Sequence, residues 1–462
     1  MKIAFIGAGS FVFARKLVVD LCSFADLPAV DLVLMDIDAD RLETTRNLVE
    51  EVVKQTGRTA DVSATPERPA ALDGADLVLA MYEPDGLEAR RREVMTCLAH
   101  GVPLAIGDTL AAAGVFKGVR TGVVTLDVAR AMERYCPQAL FMNYVNPMAI
   151  NCRVVSDGSR IQSVGMCHGL EHTREFLAGI LDVDAEALNL RGWGINHMLW
   201  IFEMTADGQD LCPLLRERDD RVRHIDPVRF ALLDATGYYV TESSYHSAEY
   251  VPYFREWFKS LYVSDVPRED YNDAMGYWAR GLIHPSTGSG GRVEPFIPLG
   301  WDIHLYEKVH ARTREQERKQ LLSEGTVDVT LSEEYAMRIA HSLSTGRRRT
   351  LSLNVPNDGW IPNLPRGATV ELPVRVDGAG LAPEQVGNLP EPCASLCRRN
   401  VEVQTEVVRG ILEQDPRAIW NAVLLDPLTG ACLDPARLKQ LFDAMIEADR
   451  ELLPPWLDGK RI

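Results

Sequence analysis

Short apolar runs alternate with longer stretches of helical spacing through the first two hundred residues. "KIAFI" runs into a glycine turn and then "FARKLVVDL", whose apolar positions recur at the helical interval. "VDLVLMDID" (30–38), "ADLVLAM" (75–81), "PLAIGD" (103–108), "LFMNYVNP" (140–147) and "RIQSVGMCHG" (160–169) read as further strands. "VRTGVVTLDVARAMERY" (119–135) reads as the helix between the fourth and fifth of them. Strands alternating with helices, with little Gly or Pro between them, predict an α/β fold built on a doubly wound parallel sheet. Ligands of such sheets sit beyond the carboxyl ends of the strands. "GDTL", "NYVNP" and "CHG" fall at those ends.

The first turn sharpens this to a dinucleotide-binding, Rossmann-like unit. Gly7 and Gly9 give G-x-G: Gly7 suits the tight turn, and Gly9 lets backbone approach a pyrophosphate on the helix that Ser10 and Phe11 open. Val12 stands where a third glycine is usual. Asp36 ends the second strand, where a carboxylate accepts hydrogen bonds from both ribose hydroxyls and repels a 2′-phosphate. That favours NAD over NADP, with Arg41 nearby keeping the choice open. Asn143, at the end of a later strand, is a further candidate cofactor contact. The net charge of −17 over 462 residues argues against nucleic-acid and anionic-membrane partners and for small molecules. No apolar run reaches the ~18–20 residues of a membrane span, and the N-terminal run is a strand rather than a signal peptide. Nine cysteines scattered along the chain fit reduced thiols and a cytoplasmic location.

The polar residues at the strand ends carry two readings each. Asn143, Asn146 and Asp108 are turn and cap residues in the bland one, and ligand-facing groups in the other. Cys167 and His197, each at a strand boundary, form a soft-donor pair able to share a divalent ion while leaving positions open for substrate oxygens. A lone Cys and a lone His are more often simply packed. His168 and His172 share a helical face but lack the Glu of a catalytic zinc helix. Cys393 and Cys397 have no partner pair at zinc spacing. A Cys-His-Asn triad leaves the dinucleotide unit unexplained.

Seven motifs in order resemble glycoside hydrolase family 4: "FIGAGS", "IGDTLAAAGVFKGVRT", "FMNYVNPMAI", "GMCHGLEHT", "GINHMLWI", "GYYVTESSYHSAEYVPYF" and "LSLNVPNDGWIPNLPRGATVELPV". The resemblance runs from residue 1 to about 455. It implies a lactate/malate dehydrogenase-like fold, with an NAD-binding domain at 1–195 and an α+β domain for substrate and oligomerisation at 196–462. It also implies NAD and Mn²⁺ as cofactors, a small-molecule glycoside as substrate, and a homodimer or homotetramer. "CHG" resembles the subgroup acting on unphosphorylated α-glycosides or α-uronides. Carried over by position, Cys167 and His197 are the metal ligands, Asn146 contacts sugar, and His168 stands in the general acid's place. Tyr239, Tyr245 and His246 compete for the base, with Tyr245 preferred, Asp108 a further catalytic candidate and His246 also a substrate contact. Arg292, after the Gly/Ser-rich stretch 285–291, is a candidate for an anionic sugar group, as is Arg174. Ala111 to Ala113 replace the family's glycine-proline-glycine. The implied route oxidises sugar C3, removes the C2 proton, eliminates at C1, adds water and returns the hydride; NAD-dependent members are a known exception to two-carboxylate glycosidases. Competing readings are a sugar or hydroxy-acid dehydrogenase on the same fold and a non-enzymatic NAD sensor.

Overall fold

The computed structural model describes residues 1–84, 86–104, 106–218, 223, 226–257, 285–287, 293–295 and 329–458. Its strands are β1 (Lys2–Ile6), β2 (Val30–Met35), β3 (Ala60–Thr65), β4 (Leu77–Ala80), β5 (Leu140–Asn143), β6 (Ser163–Gly165), β7 (Asn189–Ile195), β8 (Met198–Ala206), β9 (Gln209–Asp210), β10 (Tyr239–Val240), β11 (Pro285–Thr287), β12 (Val293–Pro295), β13 (Arg349–Pro356), β14 (Thr369–Asp377) and β15 (Gly380–Pro383). The doubly wound sheet is present in the order β3-β2-β1-β4-β5-β6, every neighbouring pair parallel. Strands β1, β4 and β5 are almost wholly buried, as continuous apolar runs in a sheet covered on both faces must be.

Two details depart from the sequence pattern. β3, "ADVSAT", is an additional edge strand whose small and polar residues gave no apolar run. The stretch 103–108 forms no strand in its described residues. Ile106 to Asp108 make a turn, fastened because Glu249 accepts from the Ile106 N–H at 2.8 Å and the Gly107 N–H at 3.2 Å.

The sheet does not stop at β6. β13 pairs antiparallel with it through Asn354 and Gly165, and β14, β7, β8 and β10 follow, so described strands from both halves form one sheet. Residue 195 ends one arm of a hairpin: Ile195 pairs with Met198, leaving Asn196 and His197 as a two-residue turn. Apolar residues of both halves share one core cluster. There the helix Glu391–Glu413 packs on the helices Ala111–Tyr135 and Met148–Gly158. Among the described residues no helix is long and apolar enough to cross a membrane.

Candidate active site

Gly7 takes φ +90°, and a Cβ there would lie 2.6 Å from the Tyr82 backbone, so the turn after β1 tolerates no side chain. The Gly7 and Ala8 N–H groups both donate to the Met35 carbonyl at 2.9 Å, which holds β1 and β2 ends together. Gly9 N–H donates to Asp36 Oδ2 at 2.7 Å, just before Ser10 and the helix Phe11–Cys22. Ile37, beside Asp36, is 89% exposed. Gly7, Gly9, Ser10, Phe11 and Asp36 are thus gathered at the carboxyl ends of β1 and β2. Asn143 is wholly buried, and its amide closes the following turn by bonding the Val145 N–H and carbonyl.

A cleft of about 400 Å³ opens at the carboxyl ends of β4, β5 and β6, lined by Tyr82, Asp108, Asn146, Cys167, His168 and His197 among others. Glu242 joins Cys167 and His197 there, and donor atoms of all three lie within 4.8 Å of one another. Glu242 Oε1 is 3.3 Å from Cys167 Sγ and 3.8 Å from His197 Nε2. Burial drives the His197 pKa down to about 4, which leaves a neutral imidazole suited to ligation. Burial and the carboxylates of Glu242 and Glu371 push the Cys167 thiol well up, so its thiolate needs a cation beside it. Burial opposes ionisation of Glu242, but the histidines around it prevail and hold it at about 2.

Beside this trio, His246 stands between two carboxylates. Its Nε2 is 3.7 Å from Asp108 Oδ1 and its Nδ1 3.9 Å from Glu242 Oε2, with its ring edge-on to His197 at 4.5 Å. Burial works against charge on His246; the Asp108 and Glu242 carboxylates outweigh it and raise the pKa. Asn146 Nδ2 donates to the other Asp108 oxygen at 3.4 Å. Asp108 Oδ1, Asn146 Oδ1, His197 Nδ1 and His246 Nε2 are buried without a hydrogen bond among the described residues. Four unmatched polar atoms on residues that line one cleft point to a ligand site, because such groups are otherwise costly to bury. A thiol, an imidazole and a carboxylate in reach of one another also fit a divalent ion.

His168 keeps 43% of its side chain exposed, and its Nδ1 meets Glu334 Oε1 at 3.1 Å. Burial disfavours its charge, yet Glu334 raises its pKa. His172 packs against His168 with the rings tilted and centroids 4.2 Å apart, and pairs with Glu333, outside the trio. The structure places Tyr245 in the core, 2% exposed and packed on Trp257 at 5.4 Å, rather than on the cleft wall. Tyr245 and His246 are neighbours on one short helix, Ser244–Glu249, so about 100° of helix rotation separates them and only one faces the cleft. Tyr239 is also buried, donating its hydroxyl to Asp226. Arg174 pairs with Glu171 and donates to the Ala185 carbonyl. Arg292 and part of the 285–291 stretch lie outside the described residues. Ala111, at φ +56°, starts its helix with its N–H donating to Asp426 at 2.9 Å.

Sequence reasoning did not single out Glu242, Glu334, Glu249 or Thr173. The last accepts from the Glu242 N–H at 3.2 Å while donating to the Gly169 carbonyl at 2.7 Å. Their hydrogen bonds across the site span 56 to 166 residues, beyond any local spacing rule, beside local contacts such as Thr173–Gly169 and Glu242–His246.

Comparison with known proteins covers almost the whole chain. The family described as "Family 4 glycosyl hydrolase" matches residues 2–183, and its C-terminal domain matches residues 193–429. An alpha-galactosidase of Bacillus subtilis (strain 168) is 30% identical over 461 residues, covering 98% of this chain and 99% of that protein. One from Rhizobium meliloti (strain 1021) is 32% identical over 462 residues, covering 98% and 89%. The structure of a 6-phospho-alpha-glucosidase from gut microorganisms, in complex with NAD and Mn²⁺, shares the fold. Its TM-score is 0.75 at 20% identity, over 98% of this chain and 99% of that one. With both parts matched in order and the site at the expected strand ends, the chain belongs to glycosyl hydrolase family 4 and is an enzyme acting on glycosidic bonds.

Proposed function

We propose that this enzyme cleaves an unphosphorylated α-glycoside, an α-galactoside first, with NAD seated at the glycine turn and a divalent metal at Cys167 and His197. The observation that carries the reading is the cleft itself, where a metal-competent donor set, four unmatched polar atoms and the carboxyl ends of the parallel strands come together. The alpha-galactosidase relatives, matched nearly end to end, support the sugar. An uncharged sugar is further favoured because, among the described residues, the Lys and Arg side chains lining the cleft are already engaged. Lys117 Nζ pairs with Glu83 at 2.8 Å, and Arg90 donates to the Ile106 carbonyl.

NAD⁺ would take a hydride from sugar C3 and later return it, while the metal would polarise the adjoining sugar oxygens. The chain's own residues do the rest. The transient ketone acidifies the C2 proton, and His246, backed by Asp108, is the base on the cleft wall in place of the buried Tyr245. His168, exposed to the cleft and oriented by Glu334, donates a proton to the departing C1 oxygen. Asn146, fixed by Asp108, offers its amide to the sugar. Gly7, Gly9 and Asp36 hold the dinucleotide. The dehydrogenase reading fails to account for the family match. We also infer a cytoplasmic homodimer or homotetramer: nine cysteines scattered along the chain suit a reducing compartment, and Leu424 and Leu425 are 39% and 42% exposed on one helix end.

The test is a panel of nitrophenyl glycosides assayed with NAD⁺, Mn²⁺ and reductant, with and without chelator. The α-galactoside should be cleaved best, without net NADH at 340 nm, and chelator should abolish turnover. NADH formed in step with product would refute the redox-neutral cycle, and faster cleavage of a 6-phospho- or uronide substrate would refute the sugar.

A further inference from the structure

We propose that Glu242 is a third protein donor to the metal, so that Cys167, His197 and Glu242 hold the ion before any sugar arrives. The proposal rests on the metal-dependent reading above and deepens it.

Distance is the first support. Metal bonds of about 2.0–2.3 Å at angles of 90–110° set neighbouring donors about 2.8–3.8 Å apart. Glu242 Oε1 stands 3.3 Å from Sγ of Cys167 and 3.8 Å from Nε2 of His197, and all three donor atoms lie within 4.8 Å of one another, a separation that side-chain adjustment can close around one ion.

Space is the second. A Cβ on Gly169 would lie 1.8 Å from Glu242 Oε1 and 3.4 Å from Cys167 Sγ. The absence of a side chain two residues after the cysteine is therefore what admits this carboxylate. Glu242 itself sits at φ +79° and His197 at φ +62°, conformations that cost a non-glycine residue about 1–3 kcal/mol each. Both are fixed from behind. Thr173 binds the Glu242 N–H and the Gly169 carbonyl together, and the β7–β8 pairing confines His197 to a two-residue turn.

Charge is the third. A buried dication needs its charge matched nearby. One thiolate leaves an excess of one positive charge, whereas thiolate plus carboxylate neutralise the ion. Glu242 makes no ion pair with Lys or Arg among the described residues; its ion-pair partners are His197 and His246. Such a site retains its metal without substrate and leaves fewer positions to be shared between water and sugar oxygens.

The test is a Mn²⁺ titration followed by the electron paramagnetic resonance of the free ion, with NAD present and no sugar, on the full-length enzyme. Wild type should bind one ion per chain. Removing partners outside the coordination sphere costs 10–100-fold in affinity, so Glu242→Gln should weaken binding by at least about 100-fold. Gly169→Ala, which keeps every donor but occupies the carboxylate's space, should weaken it comparably. It also guards against a misfolded Glu242 variant, and NAD binding checks that both fold. Cys167→Ser separates the two levels. If Cys167→Ser binds Mn²⁺ like wild type, the metal reading itself fails. If only Cys167→Ser loses the ion, while Glu242→Gln and Gly169→Ala hold it like wild type, Glu242 is no donor and the proposal is overturned.

Discussion

Thr173→Val isolates the brace behind the cleft. Valine matches threonine in shape, so the change removes one hydroxyl and little else. That hydroxyl accepts from the Glu242 N–H at 3.2 Å and from Arg229 Nη1 at 3.4 Å, and donates to the Gly169 carbonyl at 2.7 Å. The Gly169 carbonyl opens the helix Gly169–Leu181, and losing this extra donor costs it little. Arg229 retains Asp226 at 2.7 Å, so its loss is also modest. The Glu242 N–H has no such reserve, and a buried donor left without an acceptor costs about 1–3 kcal/mol. The sum is about 2–4 kcal/mol. For a large domain that corresponds to a fall of several degrees in Tm, at about 2–4 °C or less per kcal/mol. Glu242 should also relax from φ +79°, taking its carboxylate away from Cys167. Scanning fluorimetry of the metal-free enzyme reads the first effect; the Mn²⁺ concentration giving half-maximal cleavage of an aryl α-galactoside reads the second. Thr173→Ser keeps the hydroxyl and should restore both. Should valine and serine behave alike in Mn²⁺ dependence, the hydroxyl does not position Glu242 and the reasoning is wrong.

Gly7→Ala forces a Cβ to within 2.6 Å of the Tyr82 backbone at φ +90°, and NAD affinity, followed by fluorescence quenching, should fall at least about tenfold. Glu249→Ala strips the Ile106 and Gly107 N–H groups of their acceptor and frees the turn that carries Asp108. Its kcat should fall at least about tenfold with NAD affinity intact; equal losses in both would point to general unfolding. Burial, reinforced by Glu242, raises Glu371 to about 7 from 4.5, even though Asn196 and Ser352 donate to it. A carboxyl raised in this way stabilises the fold below its unfolded pKa and loses that contribution as pH climbs through the folded one. Metal-free wild type should therefore lose up to about 3 kcal/mol between pH 4.5 and 8 through this group. Glu371→Gln should flatten that slope in denaturant titrations, and an unchanged slope would refute it.

The parallel half of the fold was legible because buried parallel strands are continuous apolar runs, and "KIAFI", "VDLVLM" and "LFMN" are just that. β3 escaped because an edge strand needs only one buried side, and "ADVSAT" alternates with small residues. "PLAIGD" deceived for the opposite reason. Leu104 and Ile106 are buried as in a strand, but Glu249 claims the N–H groups of Ile106 and Gly107. Cys167 and His197 were readable from the residues only as an ambiguous pair, and as metal ligands only through what the ordered motifs imply; the structure brings them together with Glu242. Glu242 was invisible, since "TESSYH" reads as a polar turn and its partners lie 45 and 75 residues away along the chain.

That scattering has a structural cause. Cys167 follows β6, which is joined to β13 at Gly165 and Asn354; β13 pairs with β14, and β14 with β7 through Glu371 and Gly194. Three successive strand pairings thus lead from the cysteine to the turn that presents His197. The spacing between the two proposed ligands is set across the sheet rather than along the chain, so no short sequence signature can record it. The antiparallel extension is then more than an appended substrate domain. It is the ruler between the donors, and a change within β13 or β14 should loosen the metal before it touches the dinucleotide turn, which β1, β2 and β4 secure independently.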